Sequence, residues 1–266
     1  MRVVALVATL ILIAAVVIPV VILIESNSSS QASAMYTKSI QVAGNSAGFH
    51  YVSSWTGGGQ PPLNFSGDAG QNDGSQTVTE PSDFGTEQYD LVLAPDQTLY
   101  FEGNAPALED QLGVSASAAP GLAGSWIAVK IGDGPYKELE VGITVGSQLS
   151  EDSLVPSSSQ QATESGATVT RISGTVPATQ SLPAGTAHLD LSPSSDLPTT
   201  FVVSYDSASE TSTTTFSGWG TAPSVTPPSS AVAWVSLSTA SPPDGYGSGE
   251  TPSPGPTPTP TPGGTA

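Results

Sequence analysis

The sequence contains no cysteine. That excludes disulfides, thiolate metal sites, a cysteine nucleophile and acylation at a lipobox cysteine, so any exported domain must hold together on its own core. Charge is also scarce, at 11% of residues, and positive charge scarcer still. Five Lys and Arg stand against 23 Asp and Glu, for a net charge of −18. All the acids lie from Glu25 onward, accompanied only by Lys38, Lys130, Lys137 and Arg171. Such a field repels a phosphodiester backbone and excludes nucleic acid as a partner. Lys, Arg and Met, which favour helices, are few, so long salt-bridged helices are not expected. No phosphate loop, dinucleotide fingerprint or catalytic carboxylate pair is present. The sequence gives no positive case for an enzyme, a metal or a cofactor.

What is abundant is Ser, Thr, Gly, Pro and Ala, a composition that suits short strands and turns and points to a GC-rich bacterial source. One long apolar run stands apart. Val3 to Ile24 is broken only by Thr9 and Pro19, and at ~1.5 Å per residue it spans about 33 Å as a helix, enough for a hydrocarbon core. Arg2 precedes it and Glu25 follows, so the positive-inside rule puts the N-terminus in the cytoplasm and the rest outside. The alternative is a cleaved signal peptide, with Ala32-Ser33-Ala34 as the site and a secreted product. The organisation expected is therefore an anchor or signal over residues 1–25, a Ser-rich stalk over 26–35, an extracytoplasmic β-rich domain over 36–238, and a disordered Pro/Thr-rich tail over 239–266.

Within the domain the strand signals recur at short spacing. Tyr89–Ala94 and Thr98–Phe101, separated by Pro95-Asp96-Gln97, read as a hairpin. Ser125–Ile131 alternates, with Ile127, Val129 and Ile131 on one face. Thr168–Val176, Thr186–Leu191, Thr199–Tyr205, Thr213–Phe216 and Ala231–Val235 read as further strands. In Thr186–Leu191, Ala187, Leu189 and Leu191 face the core and His188 and Asp190 face water. Two short helices are predicted, Ala105–Leu112 and Thr144–Leu154, the second capped by Thr144. Mainly β with a few helices, the chain reads as an α+β sheet-with-helices architecture.

Three local patterns invite chemistry. Gly44-Asn45-Ser46-Ala47-Gly48 matches the G-x-S-x-G elbow of serine hydrolases, but Phe49-His50-Tyr51-Val52 behind it reads as strand rather than helix. His50 and His188 each fall on a polar strand face and read as solvated. Asp68–Gly74 is oxygen-rich like a calcium loop but lacks the ligand offsets and the closing carboxylate, so a hairpin turn is expected. Asn27-Ser28-Ser29 and Asn64-Phe65-Ser66 are N-glycosylation sequons, meaningful only in a host with that machinery.

Several stretches taken together resemble a known family. Phe84-Gly85 leads into the hairpin ending Leu99-Tyr100-Phe101-Glu102-Gly103-Asn104; then come Gly124-Ser125-Trp126-Ile127-Ala128-Val129, Thr215-Phe216-Ser217-Gly218-Trp219-Gly220 and Val225-Thr226-Pro227-Pro228. The pattern, over roughly Gly44 to Val232, resembles the actinobacterial envelope lipoproteins of the LppX/LprG type. The resemblance implies a half-open antiparallel β-barrel with short helices across its concave face, holding acyl chains of envelope lipids. It departs from that family in lacking the acylated cysteine, whose place the apolar N-terminal segment would take.

The expectation is a membrane-tethered, non-enzymatic lipid-binding or lipid-shuttling protein with a lipid ligand and no cofactor. The candidate groove residues are Leu91, Leu93, Leu99, Phe101, Leu108, Leu112, Ile127, Val129, Leu149 and Leu154. The alternative is a structural or adhesive surface protein without a ligand, and the remote one an exported serine hydrolase using Ser46.

Overall fold

A computed structural model describes residues 26–151, 154–179, 183–206 and 209–238. The expected anchor and the Pro/Thr tail lie outside the described residues. Among those described, no helix is long and apolar enough to cross a membrane.

Twelve strands form one open sheet. They are β1 (Gly48–Gly57), β2 (Gln60–Gly70), β3 (Gly74–Ser82), β4 (Gly85–Leu93), β5 (Leu99–Gly103), β6 (Ile127–Val129), β7 (Val155–Glu164), β8 (Ala167–Val176), β9 (Gly185–Leu191), β10 (Pro198–Tyr205), β11 (Glu210–Ser217) and β12 (Val232–Ala233). Their order is β12-β6-β5-β4-β3-β2-β1-β11-β10-β9-β8-β7. Every pairing is antiparallel except β12 with β6. Call upper the end with the turns at 57–59 and 83–84, and lower the end with those at 71–73, 94–98 and 192–197.

Six helices cover one face: α1 (Ser26–Gly44), α2 (Ala105–Leu112), α3 (Ala119–Leu122), α4 (Tyr136–Leu139), α5 (Val145–Glu151) and α6 (Trp234–Ser238). α1 packs over β7, β8 and β10, α2 over β4 and β5, and α5 touches α1 and β2. A large, mainly antiparallel sheet with short helices on one face is what the sequence pattern called for.

The hairpin of β4 and β5 pairs Leu91 with Phe101 and Leu93 with Leu99. Its turn places Gln97 at φ 65, and the Asp96 carboxylate accepts from the Thr98 N–H. α2 has the expected bounds. The Asn104 side chain accepts from the Ala107 N–H, Pro106 occupies the first turn, and Gly113 closes the helix at φ 67. α5 starts as expected, with Thr144 Oγ1 accepting from the Ser147 N–H, but ends at Glu151; Leu154 lies beyond it, buried.

Four expectations need correction. Residues 26–35 are not a loose stalk but the first half of α1, along which Ala32, Ser39 and Ala43 are fully buried at helical spacing. β6 stops at Val129, because the Asp133 side chain caps the Lys130 N–H and turns the chain, leaving Ile131 68% exposed. Only Val232 and Ala233 of the strand expected at 231–235 pair; the chain then becomes α6, since the Trp234 indole packs on the core and donates to the Leu112 carbonyl. Asp190 does not face water.

Asp190 is fully buried, directly across from Arg171 of β8, which grips it with two hydrogen bonds of 2.7 and 2.6 Å and reaches Glu164 of β7 as well. A carboxylate taken out of water needs such a partner. Replacing Arg171 by leucine should therefore cost about 3 kcal/mol of stability. Arg171→Leu combined with Asp190→Leu should recover most of it, as read from urea midpoints of the single and double variants.

Candidate functional site

The covered face carries two separate apolar clusters rather than one. The first joins α1, β1, α5 and β8 to β11, with Phe49, Tyr51, Leu189, Phe201 and Phe216 among its members. The second joins β4 to β6 and α2 to α4. Leu91, Leu93, Leu99, Phe101, Leu108, Leu112, Ile127 and Val129 all fall in the second cluster, whereas Leu149 and Leu154 fall in the first. The structure thus brings together eight of the ten candidate groove residues. Each of the ten is buried.

What divides the clusters is a polar partition built on a glycine. One rung of the sheet runs Phe216, Tyr51, Gly67, Gln76, Leu91, Phe101, Ile127 across β11, β1, β2, β3, β4, β5 and β6. The Tyr51 ring lies over Gly67, where an added Cβ would stand 2.6 Å from its hydroxyl and 2.8 Å from Cζ. The Tyr51 hydroxyl donates to the Gly142 carbonyl at 2.9 Å and accepts from the Gln76 amide at 2.9 Å. The segment 140–144 is thereby drawn down onto the sheet. Thr144 makes a parallel bridge to Gly70, and the Ile143 carbonyl sits where a side chain at Gly74 would be. Ile143 then enters the second cluster and Val145 the first.

Below this partition lies a cleft of about 340 Å³, lined by the polar residues Gln71, Asn72, Gln97, Glu140, Thr144 and Ser147 together with Leu93 and Val141; Leu93 alone of the ten candidates reaches it.

Above the partition the next rung runs Phe201, Thr214, Ser53, Phe65, Val78, Tyr89. It links the two clusters from β10 to β4. At its centre the Ser53 and Thr214 hydroxyls bond each other at 2.6 Å, buried. One step higher, Trp55 sits opposite Leu63, stacks on Tyr205 at 4.8 Å and donates to the Glu210 carboxylate. Trp55, Leu63 and Phe65 are only partly buried, although they point to the same face as the core. Among the described residues no helix packs closely on β1, β3 or β11. The upper part of the face between α1 and α2 is thus an apolar strip that the helices leave partly uncovered.

The α2 side of this strip carries two opposed acids. Glu80 of β3 and Glu87 of β4 are cross-strand partners, and both are buried, Glu87 completely. Gln111 of α2 donates from one amide nitrogen to both, at 3.3 Å to Glu80 and 2.9 Å to Glu87. Tyr89 donates to Glu80 at 2.8 Å. Glu87 Oε1 has no partner. Burial pushes the Glu87 carboxyl up to about 7, and the Glu80 and Asp110 carboxylates add to it against the hydrogen bond of Gln111. Burial raises Glu80 too, and raises Tyr89 together with the neighbouring Glu80.

The patterns that suggested other chemistry resolve into local structure. Ser46 lies in the turn from α1 into β1, helix to strand, the reverse of a hydrolase elbow. Its Oγ donates to the Gly48 carbonyl and accepts from the Gly220 N–H, which ties that turn to the end of β11. His50 bonds the Asp68 carboxylate on the exposed face, while His188 lies on β9 with β11 and β10 between them. Residues 68–74 form the end of β2 and the hairpin turn into β3. Among the described residues no group of three or more His, Cys, Asp or Glu side chains is placed to hold a metal.

The strip and the carboxylate pair escaped the sequence reading, because Pro61-Pro62 masks the strand pattern of β2. The alternation Leu63-Asn64-Phe65 and the mirror positions of Glu80 and Glu87 about Asp83-Phe84 were the signals available.

No known protein family matches this chain, and no curated protein does. Solved structures do. LprF from Mycobacterium bovis is 14% identical, with a TM-score of 0.46 over 76% of this chain and 99% of its own. The lipoprotein LppX from Mycobacterium tuberculosis is 16% identical, with a TM-score of 0.46 over 75% and 100%. A LolA-superfamily protein from Nitrosomonas europaea is 10% identical, with a TM-score of 0.25 over 71% and 92%. These are likenesses of shape alone; what the interior can bind follows from its residues.

Two predictions come from this geometry. Gly67→Val should collide with the Ser75 carbonyl and drive the Tyr51 ring off the sheet, at a cost of about 2 kcal/mol, whereas the same change at the exposed Gly146 of α5, where nothing lies within 4 Å of a new Cβ, should meet no such clash; thermal denaturation of the two variants separates them. The raised carboxyls make stability fall with pH. Folded Glu87 holds its proton up to about 7, whereas the unfolded chain releases it near the ordinary glutamate value of 4.5. Its contribution is therefore full below 4.5 and is lost as pH rises to about 7, at roughly 1.4 kcal/mol per pH unit. Urea titrations at pH 5, 6 and 7 should show this slope, and Glu87→Gln should flatten it.

Proposed function

We propose that this chain is a membrane-tethered, extracytoplasmic lipid-binding or lipid-shuttling protein of the cell envelope, with the interior of a half-open barrel as its binding site. The observation that supports this most is the upper strip. Trp55, Leu63 and Phe65 belong by strand alternation to the core face, yet they stay partly exposed between two helices; Trp55 and Phe65 pack against the first cluster, and the rung through Phe65 and Val78 leads on to Tyr89 beside the second. A sheet of twelve strands with one apolar face curls rather than lying flat, and curvature would make this strip the mouth of a concavity.

The binding would be passive. Each methylene transferred from water to such a surface contributes on the order of 0.8 kcal/mol, so one long acyl chain suffices without a charged contact. Chains entering at Trp55 and Leu63 would run toward Phe65 and Val78, and the candidate leucines of β4, β5 and α2 would form the wall on one side. The apolar run Val3–Ile24 supports a tether with the N-terminus in the cytoplasm. No catalytic residue is required.

The test uses residues 26–238, which contain both clusters, and a neutral probe, NBD-labelled diacylglycerol. Saturable one-to-one uptake is expected by fluorescence. Leu63→Trp should fill the strip and weaken uptake at least tenfold with an unchanged melting temperature. A folded domain that takes up no probe, and that yields no lipid by native mass spectrometry when isolated from its own envelope, would make the structural or adhesive surface protein the better account.

A further inference from the structure

The pair Glu80–Glu87 has no role in holding a ligand of the kind proposed, and an apolar residue at either position would pack the same space without the cost of burying an acid. Its placement gives it another use. Gln111, which both carboxyls bind, belongs to α2, and α2 is the lid over the second cluster through Ala107, Leu108 and Leu112. Three ties hold this helix. At its start Asn104 bonds the Thr86 carbonyl and the Gln88 N–H on β4. At its end the Leu112 carbonyl accepts from the Trp234 indole. Between them Gln111 is the polar contact from the face of α2 onto β3 and β4.

We infer that the buried Glu80–Glu87 pair is a proton-operated clasp: with one proton shared by the pair, α2 is held down on the sheet, and with both carboxyls ionised it lifts and widens the mouth beside Leu63 and Phe65. This rests on the lipid-binding reading for its purpose and adds regulation to the same site.

The physical case has three parts. First, the two side chains are direct cross-strand neighbours on one face, and two like charges there repel. Second, the orphan Glu87 Oε1 is fully buried, and a proton on the pair removes one of the two charges that this environment cannot solvate. Third, every charged group that bears on the pair from the packed elements is an acid. These are Glu80 on β3, Glu87 on β4 and Asp110 on α2; the Tyr89 hydroxyl, raised by burial, stays neutral and donates to Glu80, and Gln111 adds neutral hydrogen bonds. The second ionisation therefore places a further negative charge beneath a helix that already carries Asp110. α2 has a pivot after its last turn at Gly113, which is in the left-handed region with nothing within 4 Å of where a side chain would stand.

The experiment is hydrogen exchange with mass spectrometry on the full chain in nanodiscs, from pH 5.5 to 8 and corrected for the intrinsic rate. Protection of residues 105–112 should fall at least tenfold across this range while that of α1 holds. The double variant Glu80→Gln, Glu87→Gln should keep α2 protected at every pH. Gln111→Met, which retains the volume but not the donor, should leave α2 poorly protected even at pH 5.5. Protection of α2 that is independent of pH in the native chain, or is unaltered in Gln111→Met, would overturn the clasp. So would restoration of protection at pH 8 by 5 mM calcium, because a cation and not a proton would then occupy the pair. Uptake of NBD-labelled diacylglycerol over the same pH range separates the two readings. Uptake with an immobile α2 removes the clasp and leaves the carrier; an α2 that lifts with pH in a protein taking up no probe keeps the clasp and removes the carrier.

Discussion

The interior is organised by the close approach of one loop to one bare patch of sheet. Tyr51 can lie flat only because Gly67 has no side chain, and once it does, its hydroxyl fixes the Gly142 carbonyl and the Gln76 amide at once. Segment 140–144 then rests on the sheet backbone at Gly70 and Gly74. A helical layer would have filled this middle ground with apolar side chains and produced a single core. A loop in contact with glycines gives instead two half-cores joined above it by a single rung through Ser53 and Thr214. The buried polar atoms of the partition are satisfied by one another, which is the condition for keeping them inside at all.

Two half-cores explain why α1 and α2 are independent. α1 answers to the β7–β10 side and α2 to the β4–β5 side, and neither spans the middle. Each buries small residues close to the sheet, Ala32 and Ala43 on α1 and Ala107 on α2. α2, at eight residues, draws its stability from packing more than from propensity. A helix so held can be displaced without unfolding the sheet, and that makes the upper strip beside it a better place for ligand entry than the lower cleft, whose lining is as much polar as apolar.

Much of the fold was legible in the sequence where alternation and turn chemistry agreed. β4, β5, β8 to β11 and α2 announce themselves by Leu, Ile, Val and Phe at regular spacing between Pro, Asp and Gly turns. α1 did not, because its buried stripe is Ala32, Ser39 and Ala43, residues whose small size is their use but whose hydropathy is that of a linker. β7 is Ser and Gln over half of its length and buries none of its side chains fully, as fits an edge strand, and its bulge at Pro156 to Ser158 is a device that protects such an edge. Asp190 was read outward from its place between Leu189 and Leu191. The alternation was right about the face and silent about Arg171, which buries that face from 19 residues away. The candidate site was half legible: the apolar wall is local in sequence, whereas the partition and the acid pair depend on contacts between strands and loops that no spacing reveals.

Electrostatics then constrains what the proposed site would accept. Of the four cations after Glu25, Lys38 is paired with Asp196 and Arg171 with Asp190 and Glu164, and the other two, Lys130 and Lys137, stand beyond β6 at the far edge of the sheet. Around the upper strip the charged groups are Glu80, Glu87, Asp110 and Glu210, all acids. A lipid with an anionic head would bring a further negative charge to this rim without a partner, at a cost that a partly dehydrated setting increases. A neutral lipid meets no such term and gains the full transfer of its chains. Two of these acids, Glu80 and Glu87, are also the ones set to take up a proton, so acidification would lower the rim's negative charge at the moment the proposed clasp holds α2 shut. Selection against anionic lipids is therefore strongest when the mouth is open, which is the state in which selection matters.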